Sequence, residues 1–146
     1  MRLKKIFFFI LPLVMVVTAF SQTLDEEIRA TLRDYLASIS GFQGAAVINT
    51  DTGEFLGYYI ANPALESQKY KLAALVTNVV RQVENASEKA RFHPVWLELN
   101  TDKGIILIAL INKETFLGCR FAKGTPVGLI KYQVKKALAN LRALLY

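Results

Sequence analysis

The segment GFQGAAVINTDTGEFL at residues 41–56 constrains the fold of this chain more than any other. Its two glycines allow a helix to end and the backbone to pack closely. The short apolar run Ala45–Ile48 suits a buried strand, and the Asn, Asp and Gly residues of Asn49–Gly53 favour a hairpin loop. The sequence therefore predicts a β-hairpin with strands near Gly44–Asn49 and Glu54–Ile60.

The first 21 residues have the three-part pattern of a secretory signal. Arg2, Lys4 and Lys5 precede the nonpolar stretch Ile6–Val17, and the small residues of Ala19-Phe20-Ser21 precede Gln22. The stretch is short for a membrane span, which needs about 20 apolar residues. We therefore expect residues 1–21 to be a signal peptide or, if uncut, an N-terminal membrane anchor. The chain would then be exported, to the periplasm or outside the cell, or membrane-anchored; the alternatives are a start at Met15 and a cytoplasmic location.

Residues 22–146 are expected to form one domain with one core. Removal of the leader leaves 15 basic residues against 12 acidic ones, so the net charge of +6 for the whole chain overstates the basicity of the folded part. No linker, repeat or block of like charge divides this part of the sequence. Nucleic-acid binding is poorly supported, because basic and aromatic residues do not interleave on one strand.

Three helices and three further strands complete the predicted succession. The apolar spacing predicts helices over about Thr23–Ser38, from Asn62-Pro63 to about Lys89, and after Thr125, with Thr125 as N-cap and Leu129 among the inward-facing residues. The wholly apolar run Ile105–Ile111 predicts a central strand covered on both faces. The other two strands are expected at Val95–Asn100, an edge strand after Pro94, and at Thr115–Ala122.

The fold class is therefore α/β, a three-layer α-β-α sandwich around one five-stranded, mostly antiparallel sheet, with the element order α-β-β-α-β-β-β-α. This order, together with the hairpin over Gly41–Gly57, resembles the Roadblock/dynein-light-chain domain family from about Leu24 to Leu145. Longin and profilin-like folds share part of the pattern. The resemblance implies the sheet order two-one-five-four-three and a homodimer that extends the sheet across the strand near Val95–Asn100, with the second helices also meeting.

The resemblance also implies a function. Roadblock-type domains are non-catalytic adaptors that bind small Ras-like GTPases or act on motor and signalling complexes. The leader departs from the family, whose members usually work in the cytosol, and a cleaved leader would separate this chain from GTPases. The alternative function is an exported ligand-binding or sensor module of profilin-like type, which would need a pocket between sheet and helix.

The chemistry-bearing residues predict no enzyme, no cofactor and no metal. His93 and Cys119 are the only residues of their types, and neither has a partner at ligand or triad spacing. Cys119 is expected to be a small core residue. The basic face of the last helix, with Lys131 and Lys135, is expected to be solvated or to meet an acidic partner.

The predicted dimer interface combines apolar residues of the second helix with the start of the edge strand. A helix that is apolar over more than one stripe is usually buried on two sides. Trp96 is either a core residue of the second face or an interface anchor. The predicted interface residues are Leu72, Leu75, Val76, Val79, Val80, Val83, Val95, Trp96 and Leu97.

The leader prediction is testable on the chain from its native cell. Cleavage after Ser21 should give a chain that begins at Gln22, which intact-mass measurement of the purified protein would reveal. A soluble cytosolic chain that begins at Met1 or Met15 would contradict export.

Overall fold

The computed structural model describes residues 23–90 and 94–146, and the predicted leader and His93 lie outside these ranges. The helix α1 is described over residues 23–36. The remaining elements are β1 (Phe42–Asn49), β2 (Phe55–Ile60), a 3-10 helix (Pro63–Gln68), α2 (Lys69–Ala90), β3 (Trp96–Thr101), β4 (Gly104–Asn112), β5 (Thr115–Phe121) and α3 (Val127–Leu144).

The described strands form one antiparallel sheet of five in the order β2-β1-β5-β4-β3. The element order, the α/β class and the sheet order implied by the resemblance are all confirmed. β5 lies in the middle because it pairs with β1 on one side and with β4 on the other. β3 lies at one edge, as Pro94 indicated, and β2 lies at the other.

Helices cover both faces of the sheet, so the protein has two hydrophobic clusters. The larger cluster packs α1 and α3 against one face and includes Ile28, Leu32, Val134 and Leu141. The smaller cluster packs α2 against the other face through Leu72, Val76 and Val80. Successive side chains of a strand point to opposite faces, so β4 can supply Leu107 to the first cluster and Ile108 to the second. This arrangement explains why β4 is apolar throughout.

The predicted hairpin is present, and its loop is closed by its own side chains. The Asn49 side chain accepts hydrogen bonds from the backbone N–H groups of Asp51 (2.9 Å) and Thr52 (3.2 Å). Gly53 has φ of 76°, a left-handed conformation that glycine adopts without strain. From α2, the guanidinium of Arg81 donates to the carbonyl of Thr50 at 3.1 Å, which ties the loop to the second helix.

Three local predictions were wrong in detail. Asn62 does cap a helix, since its side chain accepts from the Ala64 N–H at 3.0 Å, but the first six residues form a 3-10 helix before α2. Thr125 is not the cap of α3, because its hydroxyl donates to the carbonyl of Ala122 and Pro126 takes the N-cap position. Leu129 is 42% exposed and does not face the core.

Gly118 sets the distance between α2 and the centre of the sheet. A Cβ atom at this position would lie 2.7 Å from Cγ2 of Val76, a residue with no exposed surface. Gly118→Ala should therefore destabilise the fold by about 1–3 kcal/mol through overpacking, measured as the free energy of unfolding in denaturant.

Gly128→Ala is the matched control for this prediction. Gly128 lies in the first turn of α3, where an added Cβ has no neighbour within 4 Å. The same methyl group should leave the stability unchanged or raise it by up to about 1 kcal/mol. Equal unfolding free energies for the two variants would contradict the packing argument.

Candidate interaction surface

The outward side of α2 carries a narrow apolar stripe. Leu75, Val79 and Val83 are four residues apart, so they lie on one side of the helix. Leu75 is exposed, and the other two are half-buried. Val79 also packs against the smaller cluster, as does Leu97 of β3. The stripe therefore lies on the same face of the sheet as Leu97.

The edge strand β3 has one side without a neighbouring strand in the described part of the chain. Its residues pair with β4 from Trp96↔Ala109 to Thr101↔Gly104 with no register shift, so the edge is straight. The row of backbone N–H and C=O groups on the outer side is a template for another strand. Val95 precedes the strand and is 62% exposed. These features place an extendable edge beside the α2 stripe.

The nine predicted interface residues are divided between this surface and the core. Leu72, Val76 and Val80 are buried against the sheet of the same chain, so the apolar surface of α2 is largely used within the monomer. Trp96 is half-buried and packs against the larger cluster, so it lies on the opposite face of the sheet from Leu97 and the α2 stripe. The accessible members are Leu75, Val79, Val83, Val95 and Leu97.

Cys119 is fully buried in the larger cluster on β5. Desolvation raises the pKa of its thiol far above the ordinary value, because burial penalises the thiolate. A thiol held neutral in the core is a poor nucleophile. Within residues 23–90 and 94–146, no group of three His, Cys, Asp or Glu side chains could hold a metal ion.

A polar cluster joins the start of α2 to β2. The ammonium of Lys69 donates to the Tyr58 hydroxyl at 2.9 Å, and that hydroxyl donates to the Glu66 carboxylate at 3.2 Å. The hydrogen bond to Tyr58 is the main reason that the pKa of Lys69 is raised above its ordinary value. The ammonium also lies 4.2 Å from the centroid of the Tyr58 ring, a cation–π distance.

Sequence reasoning missed the cleft beside this cluster, where Gln43, Lys69 and Arg120 come together. The available signal was Arg120, which is the only charged residue in the β5 sequence TFLGCRF. A single cation in the middle strand of a sheet needs a polar partner. Arg120 has one in Gln68, to which its Nη1 donates at 2.9 Å.

No helix of the described residues is both long enough and apolar enough to cross a membrane.

Comparison with solved structures finds close similarity in fold at low sequence identity. The Roadblock/LC7 domain from Streptomyces avermitilis superposes with a TM-score of 0.70 and 12% identity, over 80% of this chain and 96% of that one. The gliding protein MglB from Thermus thermophilus gives a TM-score of 0.69 and 17% identity, over 82% and 89%. An MglB structure with a tetrameric arrangement gives 0.70 and 17%, over 82% and 88%.

No protein-family model matches the chain, and no curated protein matches its sequence. The similarity therefore rests on three-dimensional structure, and it covers most of each compared chain. Together with the sheet order β2-β1-β5-β4-β3 and the helices on both faces, it shows that this chain has the Roadblock/LC7 fold.

Proposed function

We propose that the chain is a non-catalytic module that forms a homodimer and binds a protein partner. The observation that carries the proposal is the straight outer edge of β3, with the Leu75–Val79–Val83 stripe of α2 on the same face. A second copy related by a twofold axis would place the same strand against this edge. Antiparallel pairing of two β3 strands would then continue the sheet from one protomer into the next.

The partner we propose is a small Ras-like GTPase, on the basis of the Roadblock resemblance. The shared fold supports this choice of partner, and the tetrameric arrangement of one MglB structure supports self-association of a chain with this fold. A dimer would present two copies of any partner surface, including the basic face of α3 with Lys131 and Lys135. Export of the chain and binding of a cytosolic GTPase exclude each other, so the fate of the leader decides between them.

The absence of catalysis is part of the proposal. Cys119 is buried with a raised pKa. Lys69, the other group with a shifted pKa among residues 23–90 and 94–146, is engaged by Tyr58 and Glu66. A catalyst needs a nucleophile or base that reaches a substrate, and neither side chain is free to do so.

The dimer prediction is tested by Leu97→Lys. A cation on each facing β3 strand would place like charges at the proposed junction, so the variant should sediment as a monomer where the wild type sediments as a dimer at micromolar concentration. Because Leu97 is half-buried, the exposed Leu75→Lys provides a second variant that leaves the core intact. It should weaken the dimer in the same direction.

Leu129→Lys is the matched control, because Leu129 is similarly exposed on α3, on the other face of the sheet. It should remain dimeric with an unchanged unfolding midpoint. A wild-type domain that is monomeric at micromolar concentration, or a dimer that all three substitutions leave intact, would refute the proposed interface.

The partner prediction is tested by capture on the immobilised domain from extract of the native cell, with added GDP or a non-hydrolysable GTP analogue. A small GTPase should be retained, with a preference for one nucleotide state, and should bind the domain again after purification. Leu97→Lys should reduce retention if the partner requires the dimer. Turnover of a small molecule by the domain, with no GTPase retained, would contradict the adaptor function.

A further inference from the structure

A cleft of about 120 Å³ lies between the start of α2 and the ends of four strands. Its walls are mainly aliphatic, with Leu65, Leu72 and Leu75 from the helical side and Ile60 and Ile106 from the sheet. The cleft does not include the outer edge of β3, although Leu75 belongs both to the cleft wall and to the α2 stripe. The cleft is mainly apolar and concave, with a few converging polar groups, which is the chemical character of small-molecule sites; at about 120 Å³ it is smaller than the roughly 300–1,000 Å³ of typical ligand pockets, so it suits only a small ligand.

The backbone of β1 creates this space in two ways. Ile60, Gly44, Arg120 and Ile106 lie in one row across four strands. Because Gly44 has no side chain, Cδ1 of Ile60 lies over it, 2.8 Å from where a Cβ would be, and Ile60 can line the cleft from there. Just before Gly44, Phe42 pairs with Phe121 and Gly44 itself with Arg120, so Gln43 is an extra residue in the strand. Such a bulge re-aims a side chain, and Gln43 lines the cleft.

The charges that line the cleft are all positive. They belong to Lys69, Lys71 and Arg120, and no carboxylate lines the cleft. Lys69 already contacts Glu66 and Tyr58 outside the cleft. Arg120 is half-buried, and within the described residues its guanidinium makes one hydrogen bond, from Nη1 to Oε1 of Gln68. A guanidinium has five N–H donors and binds carboxylates through two of them in parallel.

Gln43 contributes an unsatisfied acceptor. Its Oε1 has almost no accessible surface and no hydrogen-bond partner among the described residues, so the Gln43 side chain must turn toward the cleft before a ligand can reach this atom. A buried polar atom without a partner costs about 1–3 kcal/mol, so a ligand that donates a hydrogen bond here would recover that cost. The cleft thus combines an aliphatic wall, the cation of Arg120 and the unpaired acceptor of Gln43.

From this combination we infer that the cleft binds a small branched aliphatic carboxylate that carries a neutral hydrogen-bond donor beside the carboxylate. Arg120 holds the carboxylate, the aliphatic wall contacts the branched chain, and the donor bonds to Oε1 once the Gln43 side chain has turned toward the cleft. This chemistry occurs in free 2-hydroxy acids and at the carboxyl end of a peptide. An amino acid fits less well, because its ammonium would lie among the three cations.

Isothermal titration of the full chain with four related ligands tests the inference. We expect 2-hydroxy-4-methylpentanoate or N-acetyl-leucine to bind with a Kd below about 1 mM. Leucine, which adds a positive charge, and 4-methylpentanoate, which lacks the donor, should each bind about tenfold more weakly. Tighter binding of 2-hydroxy-4-methylpentanoate identifies a free acid as the source, and tighter binding of N-acetyl-leucine identifies a peptide end.

Substitutions at Arg120 and Gln43 assign the contacts, with Lys103 as the control position. Arg120→Gln should weaken binding by about tenfold or more, while Arg120→Lys, which keeps the charge, should lose less. Gln43→Leu should remove the preference for the hydroxy acid over 4-methylpentanoate. Lys103→Gln removes one positive charge from the exposed β3–β4 turn and should bind as the wild type does. Unfolding midpoints of all variants show whether each remains folded.

The inference is overturned if neither 2-hydroxy-4-methylpentanoate nor N-acetyl-leucine binds at about 10 mM, ten times the expected upper limit of the Kd. It is also overturned if folded Arg120→Gln binds as well as Lys103→Gln does, or if leucine binds as tightly as the hydroxy acid. Dimerisation is measured by sedimentation, and Arg120 and Gln43 lie outside the proposed dimer surface, so failure here does not contradict the β3 interface.

Discussion

The contact between Val76 and Gly118 is the constraint on which the two-sided sheet depends. A helix can lie close to the middle of a sheet only where the strand beneath it presents little side chain. β5 presents Gly118 to α2 and, on the other face, Leu117 and Cys119 to α1 and α3. Because β5 is the middle strand, both helical layers are positioned by the same seven-residue segment.

The sequence allowed most of this fold to be predicted, because its main elements have unambiguous local patterns. The hairpin loop is specified by Asn49 and Gly53, and the two-sided burial of β4 follows from its continuous apolar run. What could not be predicted depends on how the chain packs once it is folded, even between residues close in sequence. The hydroxyl of Thr125 had two possible partners, the first turn of α3 or the carbonyl of Ala122, and only the folded chain shows the second.

The functional surface was harder to predict for the same reason. The α2 residues that face the sheet and those that face solvent are of the same apolar types. The sequence therefore could not show that Val76 is buried and Leu75 is exposed. The sequence did not predict the cleft, because the cleft is formed by a bulge at Gln43, the absence of a side chain at Gly44 and a cation on another strand. None of these is a recognisable motif alone, and they converge only when β1 and β5 pair.

The two edges of the sheet differ in regularity. β2 carries an extra residue, since Ile48 pairs with Phe55 and Val47 with Gly57, which leaves Leu56 unmatched; β3 has no such irregularity. A bulged edge discourages strand addition, whereas a straight one permits it. Assembly through β3 alone would therefore stop after two copies, because each sheet has only one competent edge to use. A sheet with two equal edges could instead grow without limit into a fibre.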